Sequence, residues 1–408
     1  MRGKALAAFA LMLVAVVVAA GCGGSSGGSS TSSSGGDTIK IGASVPLSGP
    51  LAGFGSFVKW GYQHAVNEVN AAGGITVDGK KKKVQLIVLD DKTDPNTVAN
   101  NTTRLITRDK VDAMLGSCTP ALVSAGALVA DRNKVPLVTG CYPLEAFKSV
   151  KKWNYVWDLF FDEPELAALP FQTLKNLGLD SKTNKTVAIL HDNGPDGLVV
   201  GGKLWPAMAK QFGYKVALNS SFPVDATQFG SLVQRAKASG ADVMLVDSLT
   251  PQAISIRKQL SSASYTPKVL VIEKGGEPVQ FAQALGKLSD GILVGGYWDP
   301  SLKYPGAKTL ADDFEKETGN TSSQHIADST TAAQVLLDAM AKAGTTDKEK
   351  VNAAIAQTNK TYVAGPIKFD ANHTSKLALV EDQWQSGKAI VVGPDKSVQT
   401  GNFLFPMP

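Results

Sequence analysis

Glu273 stands directly after a short apolar run, Val269 to Ile272. A carboxylate at the carboxyl end of a buried strand sits where open parallel sheets take ligands. The alternative is a loop carboxylate paired with Lys274. A second candidate is Ser117-Cys118-Thr119-Pro120, after the run Ala113 to Gly116. Thr119 fits a helix N-cap and Pro120 the first helical position. A helix start offers free N–H groups and about half a positive charge, which suits a carboxylate. The alternative is a plain cap with no ligand. A third candidate is Thr139-Gly140-Cys141-Tyr142, where Gly140 allows close backbone approach. Tyr142 either walls a pocket or covers the sheet edge.

The types and places of these residues suit binding a ligand, and the usual patterns of a catalyst are missing. There is no GxSxG elbow and no GxxxxGK[ST] loop. Gly53-Phe54-Gly55 lacks the third glycine of a dinucleotide fingerprint. Asp90-Asp91 and Asp312-Asp313 are adjacent pairs, and adjacent side chains do not converge on one atom. Lys80 to Lys83 flanks a turn and is expected to be exposed. The histidines, at 64, 191, 325 and 373, lie far apart. His191 is expected to pack near a strand end. Three cysteines exclude a disulfide-built scaffold and a four-cysteine zinc module, so no metal or cofactor is expected.

The 408 residues are 43% hydrophobic and 19% charged, the composition of a globular chain with a sizeable core. The net charge is only +5, and Arg2 and Lys4 supply part of it. No basic stripe with interleaved aromatics is present, so nucleic acid is not an expected partner.

Arg2 and Lys4 precede an apolar run, Ala5 to Ala20. It is short for a spanning helix, which needs roughly 20 residues, and suits a signal peptide. Ala19-Ala20-Gly21-Cys22 resembles the bacterial lipobox, which implies lipidation of Cys22 after cleavage. The alternative is an ordinary secreted protein cut near Ala20. Residues 23–36 are all Gly, Ser or Thr, a flexible coil with a reach of about 20 Å. The expected division is a signal peptide at 1–21, a lipidated cysteine and linker at 22–37, and a globular body tethered to the outer face of a membrane.

Positioning the candidate residues requires alternating strands and helices, and the body supplies them. Ile39 to Val45, Val84 to Leu89, Ala113 to Gly116 and Pro136 to Thr139 read as strands, with helices between them. Thr186 to Leu190, Lys215 to Leu218, Val243 to Val246 and Val269 to Ile272 repeat the pattern. Near-continuous apolar strands between helices imply parallel sheets covered on both faces. Two series of similar length imply two similar α/β lobes. A long alanine-rich helix, Ala327 to Gly344, a short helix and a β-rich tail follow.

The order of motifs resembles the leucine/isoleucine/valine-binding family of ABC transporter substrate-binding proteins. The resemblance is carried by Ile39-Lys-Ile-Gly-Ala-Ser-Val-Pro-Leu-Ser-Gly-Pro50, Gly55, Asn70-Ala-Ala-Gly-Gly-Ile75, and Asp90-Asp91 with Asp94-Pro95. Phe222-Pro-Val-Asp225 with Phe229, Ile326-Ala-Asp-Ser329, and Gly365-Pro-Ile-Lys-Phe-Asp370 continue it. It covers about residues 38 to 390. It implies the type I periplasmic binding protein fold, two Rossmann-like lobes joined by three crossovers. The expected division is 38–160 with 298–364 for the first lobe and 161–297 with 365–408 for the second.

The resemblance also implies site residues. Phe54 matches an aromatic that closes over the ligand. The Cys118-Thr119 turn and the Gly140-Cys141-Tyr142 turn match segments that grip a carboxylate, although Pro120 stands where a serine is usual. Glu273 matches the residue that binds the ligand's ammonium. Asp196 replaces a tyrosine and Leu249 a frequent aromatic. Trp298, beside Tyr297, is placed at the hinge, where it could contact the solute. Cys118 and Cys141 end consecutive strands of one lobe in an oxidising compartment, and are candidates for a disulfide if their Cα atoms lie within about 7 Å; the alternative is two free thiols. The implied protein is a monomer and not an enzyme. It closes on a small, amine-bearing solute and delivers it to the transmembrane subunits of an ABC permease. The rivals are a sensor that presents its closed form to a signalling partner and, remotely, an extracytoplasmic hydrolase.

Overall fold

The computed structural model describes residues 38–408. The expected signal peptide, Cys22 and the expected linker lie outside the described residues. Among the described residues no helix is long and apolar enough to cross a membrane.

Two seven-stranded sheets form the centres of two lobes. The first runs, edge to edge, Thr374–Lys376, Val156–Phe160, Leu137–Thr139, Ala113–Leu115, Thr38–Val45, Lys80–Asp90 and Ile75–Val77. All its pairings are parallel except the hairpin between the last two. The second runs Lys388–Gly393, Val380–Gln385, Leu293–Gly296, Val269–Lys274, Val243–Ser248, Thr186–Asp192 and Lys215–Phe222. Its last five strands are parallel and its first two antiparallel. The central strands are buried along their length, as a sheet covered on both faces requires.

The alanine-rich segment forms the spine of the first lobe as the helix Gln324–Ala343, with fourteen of its residues buried. Such a helix is apolar nearly all round because other elements surround it. Ser323 caps its start through the His325 amide, and Gly344, at φ 63°, ends it in the left-handed region that glycine tolerates. In the second lobe the helical stretch after Thr186–Asp192 begins at Pro195 and contains a π-helical turn, Val200–Leu204. There Gly201 presses on His191: a Cβ would stand 2.3 Å from the His191 Cβ.

The chain crosses between lobes three times. Residues 161 and 162 link the strand Val156–Phe160 to the helix Glu163–Asn176. The second crossing leaves the strand Leu293–Gly296 and leads to the first-lobe helix Ala307–Thr318. The third, residues 377–379, links Thr374–Lys376 to Val380–Gln385. This corrects the expected boundary at 364. Thr374–Lys376 pairs with Val156–Phe160 in the first sheet, and Gly365–Lys368 forms a hairpin with Asn359–Tyr362. The second lobe therefore resumes only at Val380. Lys80 to Lys83 flank the hairpin turn and are largely exposed, as expected, but the strand read as Val84 to Leu89 already begins at Lys80, paired with Ile75–Val77.

Candidate functional site

A cavity of about 580 Å³ lies between the lobes, at the carboxyl ends of the parallel strands. That is within the range of small-molecule sites. Its two walls differ in chemistry.

The wall of the first lobe is apolar. Leu51, Phe54, Pro120, Ala121 and Phe160 line it, with Phe161 from the first crossing. Cys118 and Cys141 form a disulfide in this wall, with Cα atoms 4.9 Å apart. It ties the ends of two adjacent strands. The nearby His325 completes a Cys-Cys-His group, but joined sulfurs offer no thiolate to a metal. Thr119 occupies the N-cap position of the helix Pro120–Arg132, yet its hydroxyl makes no capping bond. Its φ is 76°, an outlier for a β-branched residue and a mark of strain at the cleft.

The wall of the second lobe is acidic. The strands Thr186–Asp192, Val243–Ser248 and Val269–Lys274 lie side by side, so their polar ends converge. Lys274 Nζ lies 2.7 Å from Asp247 Oδ1, 3.0 Å from Asp192 Oδ2 and 3.1 Å from Asp196 Oδ2. Burial pulls the lysine's pKa down, but the three carboxylates outweigh it and hold it well above the ordinary value. Burial pushes Asp247 up to about 7, despite the ammonium beside it.

Glu273 stands on the same strand, one residue before Lys274 and paired in register with Asp247. Its Oε1 accepts from the Gly295 amide at 3.1 Å, and its Oε2 is buried with no partner. Only 3% of the residue is exposed. Burial first, then the neighbouring Glu381 and Glu277, push its pKa well above the usual carboxylate range. The pairing with Lys274 weighed from the sequence does not form, because Lys274 turns to its three aspartates.

At the hinge His325 donates toward both lobes. Nε2 lies 3.2 Å from Glu277 Oε2, and Nδ1 lies 3.0 Å from Asp328 Oδ2. Burial opposes its charge, but these two carboxylates prevail and raise its pKa to about 10. Tyr297 Oη donates to the same Asp328 oxygen at 2.5 Å.

Of the residues singled out from the sequence, Phe54, Cys118, Thr119, Cys141, Asp196, Leu249 and Glu273 line the cleft. Three do not. Gly140 packs under the spine helix, where a Cβ would stand 2.9 Å from the Asp328 carbonyl oxygen. Tyr142 covers the sheet edge: its hydroxyl bonds Ser124 and its ring packs on Phe147. Trp298 turns into the first lobe, its indole N–H donating to the Val363 carbonyl at 2.9 Å, and lines a separate cavity of about 330 Å³. His191 packs at its strand end, with Nδ1 on the Asp192 carbonyl. Lys274, Asp192, Asp247, Glu277 and His325 were not singled out. A signal existed for one of them: Asp247 directly ends the apolar run Val243 to Val246, as Glu273 ends Val269 to Ile272.

Residues 38–380 match the family model described as periplasmic binding protein. The Leu/Ile/Val-binding protein homolog 7 of Brucella suis is 28% identical over 377 residues, which cover 88% of this chain and 92% of that protein. Among solved structures, a leucine-binding protein from Thermotoga maritima superposes with a TM-score of 0.76 at 23% identity, covering 86% of this chain and 97% of that one. A branched-chain amino acid transporter binding protein from Streptococcus pneumoniae, in complex with isoleucine, gives 0.74 at 24% identity, with the same coverage. Such relatives are solute-binding proteins that work outside the cytoplasm, not enzymes. With two α/β lobes, three crossings, a cleft at the strand ends and a family match over most of its length, the chain belongs to the periplasmic binding protein family.

Proposed function

We propose that this chain captures a small amine-bearing solute between its lobes and delivers it to an ABC-type import permease. It is held at the outer face of the membrane by a lipid on Cys22 and acts as a monomer. The observation that carries the reading is the cleft spanning both lobes, with the buried Glu273 among its lining residues. Burial raises the pKa of its carboxyl, and a solute ammonium beside it would favour the ionised form. Phe54, Thr119 and Leu249 would contact the rest of the solute. The names of the relatives support the class of solute, since they bind leucine, isoleucine or valine. Contacts made to both lobes favour the closed form, which the permease recognises.

Small-angle scattering of the mature chain with a panel of amines and amino acids tests solute capture. A true solute lowers the radius of gyration and raises the melting temperature; a panel that does neither counts against the reading. For the anchor, Cys22→Ser should move the protein from the membrane fraction to the soluble one. Unchanged membrane association removes the anchor from the proposal.

A further inference from the structure

The parallel strands of the first sheet present their carboxyl ends to the cleft and their amino ends to the opposite face of the lobe. That far face is basic. Thr38 stands opposite Lys83 in the parallel register, so Lys80 to Lys82 reach past the first residue of the strand Thr38–Val45. They form the foot of the hairpin with Ile75–Val77, and Lys80, Lys81 and Lys83 are exposed. The helices of the lobe run back to the same face, and their ends add further bases. Arg108 and Lys110 follow the helix Pro95–Thr107. Arg132 ends the next helix, and Lys134 follows it. Lys151 and Lys152 follow the helix Leu144–Val150. All of these are exposed.

The acids of these turns are fewer: Asp78, Asp109, Asp112 and Asp131. Among the described residues, the carboxylate ion pairs of the turns are Lys82 with Asp78, Arg104 with Asp109 and Lys151 with Asp131, and the other bases are left without one. The spine helix ends on this face too, where its Gly344 carbonyl accepts from the Asp78 amide. Around that end Glu68, Asp347 and Glu349 are matched by Lys342, Lys348 and Lys350, so the face keeps its excess of positive charge.

We propose that this amino-end face of the first lobe docks on an anionic phospholipid surface, through Lys80, Lys81 and Lys83 and the basic turns beside them. Clusters of lysine and arginine are attracted to anionic headgroups, within about 10 Å at 0.1 M salt. The place where the chain enters the body supports the same partner. Thr38, beside Lys83, comes two residues after the segment 23–36 of Gly, Ser and Thr, whose typical reach is about 20 Å. A lipid on Cys22 would hold this entry point near the membrane. The cleft lies at the other end of an eight-residue strand, about 26 Å further off. Docking therefore turns the cleft away from the lipid. The proposal rests on the reading of a membrane-held body and adds an orientation to it.

The test is sedimentation with vesicles of phosphatidylcholine alone or with about one third phosphatidylglycerol. The protein is the full mature chain carrying Cys22→Ser, so that no lipid anchor contributes. It should sediment with the anionic vesicles at about 50 mM salt, leave them at about 300 mM, and ignore the neutral ones. Lys80→Gln, Lys81→Gln and Lys83→Gln together should weaken binding about 100-fold. Lys210→Gln, Lys258→Gln and Lys287→Gln, at exposed lysines of the second lobe, should leave it unchanged. Both triple variants should keep the parent melting temperature, because the substituted side chains are exposed. No binding to the anionic vesicles, equal binding to the neutral ones, or an equal loss from both triple variants overturns the proposal. None of these outcomes bears on lipidation of Cys22, which the membrane-fraction experiment decides separately.

Discussion

His325 Nε2 lies 3.2 Å from Glu277 Oε2, and the two residues belong to different lobes. His325 starts the spine helix of the first lobe, and Glu277 follows the strand Val269–Lys274 of the second. The pair therefore forms only when the lobes are close, and it holds them so without any solute. Replacing Glu277 with Gln should favour the open form. Loss of one partner from a buried charge pair costs about 2–5 kcal/mol; even the low end shifts the closure equilibrium roughly 30-fold. Scattering of the unliganded variant should give a larger radius of gyration. An unchanged profile would mean the pair does not govern closure.

Lys274 neutralises three aspartates at adjoining strand ends. Lys274→Met keeps the stem and removes the charge. The variant should lose about 3–5 kcal/mol in urea denaturation at pH 8, the usual penalty for orphaning buried charges. At pH 5 the loss should be smaller, because Asp247, pushed up to about 7 by burial, is then protonated and the repulsion is relieved. Equal losses at both pH values would point to packing instead.

Glu273→Gln removes a carboxyl that burial already keeps protonated. Unliganded stability at neutral pH should therefore change little. Amine affinity should fall by about 2–5 kcal/mol, the cost of breaking a desolvated charge pair. A variant that melts much earlier would show that Glu273 is ionised and structural in the free protein.

The unliganded protein should be more stable at pH 5 than at pH 8. Burial raises Glu163 to about 7 and Asp328 to about 6. Between the ordinary carboxylate range and those values the folded state holds more protons than the unfolded state, so stability falls as pH rises. His325, raised to about 10, adds stability that is complete below about 6.5 and is lost as pH climbs toward 10. The lowered carboxylates Asp131 and Asp370 work the other way, but only below about pH 4. A melting temperature that rises steadily from pH 5 to pH 8 would contradict this balance.

Reduction of Cys118–Cys141 should cost about 3 kcal/mol, from the loop entropy of a 23-residue separation. Denatured protein without reductant should show neither of these two thiols to a maleimide reagent. The expected loss is global, because the bond joins central strand ends and not a surface loop.

The periodic elements were legible because burial writes itself into the chain. Apolar runs of strand length, helical spacing and stop residues such as Gly73-Gly74 need no partner to be recognised. The place of Glu273 in the cleft lining was legible for a related reason: a carboxylate directly after an apolar run stands at the carboxyl end of a strand, where the cleft lies. Lys274 was not, since its three partners depend on which strands are neighbours, and sheet order is not a local property. Glu277 and His325 stand 48 residues apart and on different lobes. Trp298 and Tyr142 show the reverse error. Both are aromatic residues at strand ends, and the chain alone does not reveal toward which side such a ring turns. The lobe boundary was misplaced because Thr374–Lys376 is a three-residue edge strand with no apolar pattern to mark it.

Two of the three crossings between lobes have almost no slack. Residues 161–162 and 377–379 are all that separate regular elements of one lobe from those of the other. Three residues fully extended reach only about 10 Å. Such short straps do not let the halves drift apart or slide; they leave rotation about a line through the crossings as the one easy movement. The state of the cleft is thereby reduced to a single angle. A partner resting on both halves can read that angle as the spacing between two surfaces, without touching what lies inside. Recognition of the solute and recognition of the loaded protein are then separate tasks, and the lining of the cleft can be rebuilt for new chemistry while the outer geometry stays the same.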